Sequence, residues 1–156
     1  MTDKQPGRDA EVMLREITFE TVRDICNLSD TLSDRQKRMV APNAVSIAQA
    51  HFHERAWFRA IYADDTPVGF VMIYDDSDEG KYFLWRLMIA GPHQRKGYGR
   101  RAMEQVIEYV RSRPGAESLG ASYVPAEGGP EGFYGKLGFE PTGEIDHGEV
   151  VVQLSL

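Results

Sequence analysis

The sequence predicts a mixed α/β domain: a mostly antiparallel seven-stranded sheet, helices on both faces, and a single strand–helix–strand crossover. Three observations predict it. Short apolar runs are joined by acidic or glycine-bearing turns, at Asp64-Asp65-Thr66-Pro67, Asp75–Gly80 and Asp146-His147-Gly148, which is the pattern of hairpins. One stretch, Gly99 to Ser112, instead places Met103, Val106, Ile107 and Val110 at helical spacing. That helix lies between the apolar runs Tyr82–Ala90 and Ser118–Val124, so it connects a parallel pair, and such a crossover is right-handed.

The elements follow in order. Residues 1–10 carry no apolar signal core and read as a disordered leader, which leaves 11–156 as one domain, long enough for its own core. Val12 to Ile17 is a strand. Thr18 caps a helix over Phe19 to Leu28. Ser29 to Ala41 is a polar loop with some helix. Asn43 to His53 is a helix whose inward side is read as Ala44, Ile47, Ala48 and Phe52. Strands run over Trp57–Ala63, Val68–Tyr74 and Tyr82–Ala90. The last of these is almost wholly apolar and is expected to be buried on both faces. Arg113-Pro114-Gly115 ends the crossover helix. Pro130 opens a short helix to Leu137, and two final strands, 139–145 and 150–154, form a hairpin.

Composition narrows the function. A net charge of −6 argues against a general nucleic-acid binder, which needs a basic surface. It is compatible with a cationic small-molecule partner. No apolar run reaches membrane-spanning length. The single cysteine, Cys26, allows no internal disulfide, and a cytoplasmic location is expected. His51 and His53 are two residues apart, on different faces of a helix, so no metal site is expected there.

Against this acidic background, Arg95, Lys96, Arg100 and Arg101 crowd the start of the crossover helix. The helix dipole disfavours cations at that end, whereas an anion would be held by both the cations and the free N–H groups of the first turn. Three phosphate-binding patterns compete with a solvated basic helix start. A P-loop requires Gly-Lys-Ser/Thr, which is absent. Gly97-x-Gly99-x-x-Ala102 fits a dinucleotide fingerprint, but it begins seven residues beyond the strand and too little chain follows for a doubly wound sheet. The third pattern is the acetyl-CoA pyrophosphate turn Gln/Arg-x-x-Gly-x-Gly/Ala, which Gln94-Arg-Lys-Gly97-Tyr-Gly99 matches at every fixed position.

With Phe133-Tyr134-Gly-Lys-Leu-Gly138-Phe139 behind a later strand, the chain resembles the GCN5-related N-acetyltransferases (GNAT). A looser similarity links Val40–Ala50, Pro67–Val71, Leu84–Ile89 and Thr142–Glu149 to small bacterial diamine and spermine/spermidine N-acetyltransferases. The resemblance implies acetyl-CoA as cosubstrate, no metal, a small cationic amine as acceptor and a homodimer. It implies that the backbone of Gln94, Arg95, Lys96, Gly97, Tyr98, Gly99 and Arg100 grips the pyrophosphate. Leu87 and Ile89 would pair with the pantetheine arm beside a bulge, and an N–H near Met88 would polarise the acetyl carbonyl.

The resemblance also implies Tyr134 as general acid, since a phenol stays protonated at neutral pH and can protect a leaving thiolate. Glu54, Trp85, Ser122, Glu144 and Asp146 are the expected acceptor-lining residues. No carboxylate stands on Tyr82–Ala90, so the base is open between Glu54 acting through water and a water chain alone. The chain departs from the family where Glu127 and Pro130 replace the usual Asn and Ala. Other small amines, a protein amine, or a non-catalytic acyl-CoA-binding module remain as alternatives.

Overall fold

The computed structural model describes residues 5–156. Among them seven strands form one sheet: β1 (Val12–Arg15), β2 (Ala56–Ala63), β3 (Thr66–Asp76), β4 (Lys81–Ile89), β5 (Ser118–Tyr123), β6 (Glu140–Asp146) and β7 (Glu149–Ser155). Their spatial order is β1-β2-β3-β4-β5-β7-β6. Every neighbouring pair is antiparallel except β4–β5. The helices are α1 (Val22–Asn27), α2 (Asp34–Lys37), α3 (Asn43–His51), α4 (Tyr98–Arg111) and α5 (Glu131–Leu137). Helix α4 is the expected crossover.

Each face of the sheet carries its own apolar core. On one face Met103, Val106 and Val110 of α4 pack with Ile61, Val71 and Leu84, and the same core takes in Tyr134 and Phe139. On the other, Ile25 of α1 packs with Ala60, Phe70, Met72 and Met88, against Ile47 and Ala50 of α3. The polar stretch 29–41 becomes a 3-10 turn, Leu28–Thr31, followed by α2. Ser33 and Gln36 close that helix start with reciprocal side-chain bonds to backbone N–H groups.

Several expectations need correction. Helix α1 begins at Val22, not Phe19: Thr18 closes a turn with the Thr21 hydroxyl, and Phe19 is left 92% exposed. Pro130 is the residue before the first helical position of α5. Helix α3 is rotated from its expected face. Asn43 and Ser46 are buried, while Ala44 and Ala48 face solvent and Phe52 lies 86% exposed just past its end. Apolar spacing misled here because Asn43 is drawn inward by hydrogen bonds to the Ile25 carbonyl at 2.8 Å and the Ser29 hydroxyl at 2.9 Å.

The leader is not disordered over residues 5–10. Pro6 and Ala10 are buried. The Tyr98 hydroxyl lies 2.9 Å from the Pro6 carbonyl and 2.5 Å from that of Gly7. Lys96 Nζ donates to Pro6 at 3.0 Å, and the Arg101 guanidinium donates to the Arg8 and Ala10 carbonyls at 2.7 Å each. The segment is held by donors from α4 and the turn before it, and by Ala10, which joins the core under α4. The rest of the expected leader, residues 1–4, lies outside the described residues.

The feature that positions the site is in β4. Met72 pairs with Arg86 while Ile73 pairs with Leu84, so Trp85 is an extra residue, a β-bulge. A bulge reverses the alternation of side chains beyond it. Leu84 and Met88 would share a face in a regular strand, yet they lie in opposite cores. Toward β5, the parallel pairing is reduced to Phe83 opposite Gly120, and the two strands part beyond it. This opening is why β4 is not buried on both faces along its length. Phe83, Trp85, Arg86, Leu87 and Ile89 are only half-buried.

At the fork the Phe83 ring lies over Gly120, where an added Cβ would come within 2.7 Å of the ring. Gly120→Ala is therefore expected to destabilise the fold by about 1–3 kcal/mol in urea unfolding. The same change in a Phe83→Ala background should cost much less. Equal costs in the two backgrounds would show that the ring is not the obstacle.

Candidate active site

The turn from β4 into α4 is built to leave donors free. Gly91–His93 forms a 3-10 turn, and Gly91 N–H donates to the Thr31 hydroxyl at 2.9 Å. Gln94 folds back, its Nε2 donating to the Ile89 carbonyl at 2.9 Å while its amide pairs with Gln36. Arg95 and Gly97 take positive φ angles of 64° and 82°. Among the described residues the N–H groups of Arg95 to Arg100 meet no protein acceptor. An added Cβ on Gly99 would stand 3.4 Å from the Phe133 ring and 3.6 Å from Ile89, so glycine keeps this approach narrow but open.

The four cations do not act alike. Lys96 and Arg101 are engaged by the carbonyls of residues 6–10. Arg100 pairs with Glu104 at 3.4 Å on the exposed helix surface. Arg95 is exposed at the turn itself. Tyr98 is 1% exposed and serves the core and the N-terminal segment, so only its backbone faces the turn. Buried His93 is held below the ordinary imidazole range, by desolvation first and by Lys96 second, which keeps it neutral.

Helix α5 reaches this turn through Phe133, whose ring packs against Gly99, and Tyr134 is the next residue of that helix. Tyr134 is 8% exposed. It stacks on Tyr123 at 5.9 Å and meets Phe133 and Phe139 edge-on, each at 5.4 Å. Its hydroxyl has no hydrogen-bond partner among the described residues. Burial pushes its pKa up to about 12, with a smaller contribution from the Glu149 carboxylate. Lys136 is exposed.

The expected acceptor residues divide. Glu144 and Asp146 line a groove of about 460 Å³ together with Phe83, Ile145 and Val151. Ser122 is paired with Val151 across β5–β7 and so shares the groove's face. Trp85 stands on the α3 side of β4, edge-on to His53 at 5.0 Å and to Tyr74 at 5.9 Å. Glu54 is exposed in the turn between α3 and β2, apart from the groove.

Sequence reasoning missed Phe83, Asn43, Ser46, Gln49 and Arg86, because their side-chain directions depend on the bulge and on the rotation of α3. The Cys26 thiol is pushed up by burial, which makes it a poorer nucleophile. Among the described residues no three His, Cys, Asp or Glu side chains gather as metal ligands, and no helix is long and apolar enough to cross a membrane.

A bulged central strand with a single parallel pair to its neighbour, beside a glycine turn with free N–H groups, is the arrangement that the resemblance to the GNAT family implied. The family model described as the acetyltransferase (GNAT) family matches residues 20–139, and the chain belongs to that family of acetyl-CoA-dependent N-acetyltransferases. A comparison with curated protein sequences finds no match.

Solved structures share the fold at low identity. An acetyltransferase from Thermus thermophilus aligns with a TM-score of 0.74 and 17% identity, covering 93% of this chain and 97% of that one. The PaiA N-acetyltransferase of Thermoplasma acidophilum, solved with coenzyme A, gives 0.69 and 16%, covering 94% and 99%. A GNAT acetyltransferase of Elizabethkingia anophelis with acetyl-CoA bound gives 0.68 and 15%, covering 93% and 98%.

Tyr134 and Tyr109 both rise to about 12, the latter through burial and then its hydrogen bond to Asp75. An unfolded phenol ionises near 10. Both groups therefore contribute stability that is full below about pH 10 and lost as pH rises through about 12. Urea unfolding should show this decline, and Tyr134→Phe should make it shallower. Absorbance titration at 295 nm showing every tyrosine ionising near 10 would contradict it.

Proposed function

We propose that the protein transfers the acetyl group of acetyl-CoA to the primary amine of a small acceptor by direct attack. The observation that carries this reading is the contact of Phe133 with Gly99. It brings α5, the helix that carries Tyr134, against a turn whose N–H groups lack acceptors. Acetyl-CoA, when bound, supplies the acetyl group as an activated thioester. The N–H groups of Arg95 to Arg100 hold its pyrophosphate, with Arg95 adding charge. Leu87 and Ile89 have β3 on one side and no strand partner on the other, so their outward backbone groups can bond the pantetheine arm, apart from the Ile89 carbonyl, which Gln94 Nε2 occupies. An N–H near Met88 stabilises the oxyanion.

Tyr134 keeps its proton until the thiolate departs, and burial raises the cost of losing it earlier. Glu54 faces solvent away from the groove, so amine deprotonation falls to water. The acceptor amine enters through the Phe83 groove. Glu144 and Asp146 support a cationic acceptor such as a diamine, spermidine or spermine by charge. Against a long polyamine stand the distance of Glu54 from the groove and an arginine, Arg86, on the same face of β4. The reading includes a homodimer in the cytoplasm, and exposed Phe19 and Phe52 are apolar surface that a second copy could cover. Sedimentation at micromolar concentration would show a single species of 17.6 kDa if the dimer is wrong.

A thiol-release assay with acetyl-CoA and a panel of polyamines, diamines, amino acids and aminoglycosides tests the activity. Tyr134→Phe should lower kcat by about a hundredfold or more while acetyl-CoA affinity stays near its original value. An unchanged rate would remove Tyr134 from the mechanism. Binding of acetyl-CoA without turnover on any amine would favour a non-catalytic module.

A further inference from the structure

We propose that the acceptor carries a carboxylate as well as its amine, and that Arg86 is the counter-ion for that carboxylate. The inference rests on the transferase reading and refines its substrate class. The bulge at Trp85 turns Arg86 toward α3, where its guanidinium donates to the Trp85 carbonyl at 3.0 Å and to Gln49 Oε1 at 3.2 Å. Its Nε is buried without an acceptor. Among the described residues no carboxylate lies within 4.0 Å of it; six arginines have such a partner and Arg8, Arg23, Arg35, Arg38, Arg95 and Arg101, like Arg86, do not, but of these seven only Arg86 has a buried side-chain nitrogen without an acceptor. A half-buried guanidinium with an Nε–H that has no acceptor is free to take an anion, and its planar fork matches a carboxylate.

Arg86 and Gln49 mark a seam between β4 and α3, and two further buried atoms of α3 lack partners: Asn43 Oδ1 and Ser46 Oγ, on fully buried residues at the start of that helix. Four buried side-chain polar atoms lack partners among the described residues, and three of them belong to Arg86 and to the helix it bonds. Asn43 Nδ2 stands 3.5 Å from Met88 Sδ, so the seam leads from Arg86 to the strand segment that faces the thioester. Asn43 and Gln49 are six positions apart, about 9 Å along a helix. That is close to the reach of an amino acid whose reacting amine lies four or five carbons from its carboxylate. A seam bearing a cation and no carboxylate repels the middle of a polyamine and accepts the acid end of such a molecule, while Glu144 and Asp146 lie on the amine's side.

The test is binding of matched pairs that differ by one carboxylate: lysine with cadaverine, ornithine with putrescine, and 5-aminopentanoate with butylamine. Calorimetry in saturating coenzyme A should show the acid member of at least one pair binding about tenfold more tightly or better. Arg86→Gln should erase that preference and Arg86→Lys should retain part of it, with circular dichroism confirming the fold. The inference is overturned if the decarboxylated member binds as well in all three pairs, or if the preference survives in a folded R86Q. Should R86Q not fold, the wild-type preference across the pairs decides. Thiol release measured alongside separates the two readings. Turnover without a carboxylate preference sinks this inference alone. An Arg86-dependent preference without any thiol release upholds it and sinks the transferase reading.

Discussion

One pair of residues holds the two halves of the sheet together at the site. Phe83 opposite Gly120 is the full extent of the parallel pairing between β4 and β5. The bulge at Trp85 bends β4 just beyond that pair, and the strands part. Parallel strands that diverge leave backbone groups without partners along the opened edge, and such groups must find a ligand or water. The turn into α4, the Tyr134 ring on α5 and the groove at the β6–β7 hairpin are all arranged around this one opening. Glycine at 120 is a condition of it, because the Phe83 ring occupies the space a side chain would need.

The phosphate turn shows how a charged cluster can be divided between structure and chemistry. Lys96 and Arg101 bond main-chain carbonyls of residues 6–10, and the buried Tyr98 hydroxyl reaches the same segment. Bonds from charged donors to carbonyls contribute about 1.5–3 kcal/mol each where solvent is excluded. The N-terminal segment thereby braces the first turn of α4 from behind. The N–H groups of Arg95 to Arg100 and the exposed Arg95 side chain have no protein partners among the described residues, so the front of the turn stays open. The geometry of the turn depends on glycine at 97, where φ is 82°, and on a strained Arg95 at 64°.

On the acceptor side, charge is distributed unevenly. Carboxylates lie on the exposed hairpin, at Glu144 and Asp146, and an unpaired guanidinium lies half-buried under α3. The buried groups near Arg86 carry more weight for recognition, because interactions of exposed carboxylates are screened by water and salt. Burial acts on Tyr134 in the same direction. It raises the cost of ionising the phenol, and that suits a group that must retain its proton until a thiolate leaves.

Much of this protein was legible in the sequence, for identifiable reasons. Period-two and period-3.6 patterns depend on local geometry, so the seven strands, the crossover helix and the hairpins could be read from apolar spacing and turn residues. The family was legible because the glycine turn at Gln94–Arg100 and the segment Phe133–Phe139 are contiguous motifs with fixed glycines. Tertiary structure decided what spacing cannot carry. The bulge reverses the side-chain phase of β4, and no residue type announces that reversal. It alone put Arg86 under α3 and Met88 in the opposite core from Leu84. On α3 Ile47 was read correctly as inward, but Ala44, Ala48 and Phe52 were misread, since Asn43 and Ser46 take the buried positions beside it. The N-terminal segment, polar and without an apolar core, was held in place by three side chains some ninety residues away in sequence. Such contacts arise only once the sheet brings distant parts of the chain together.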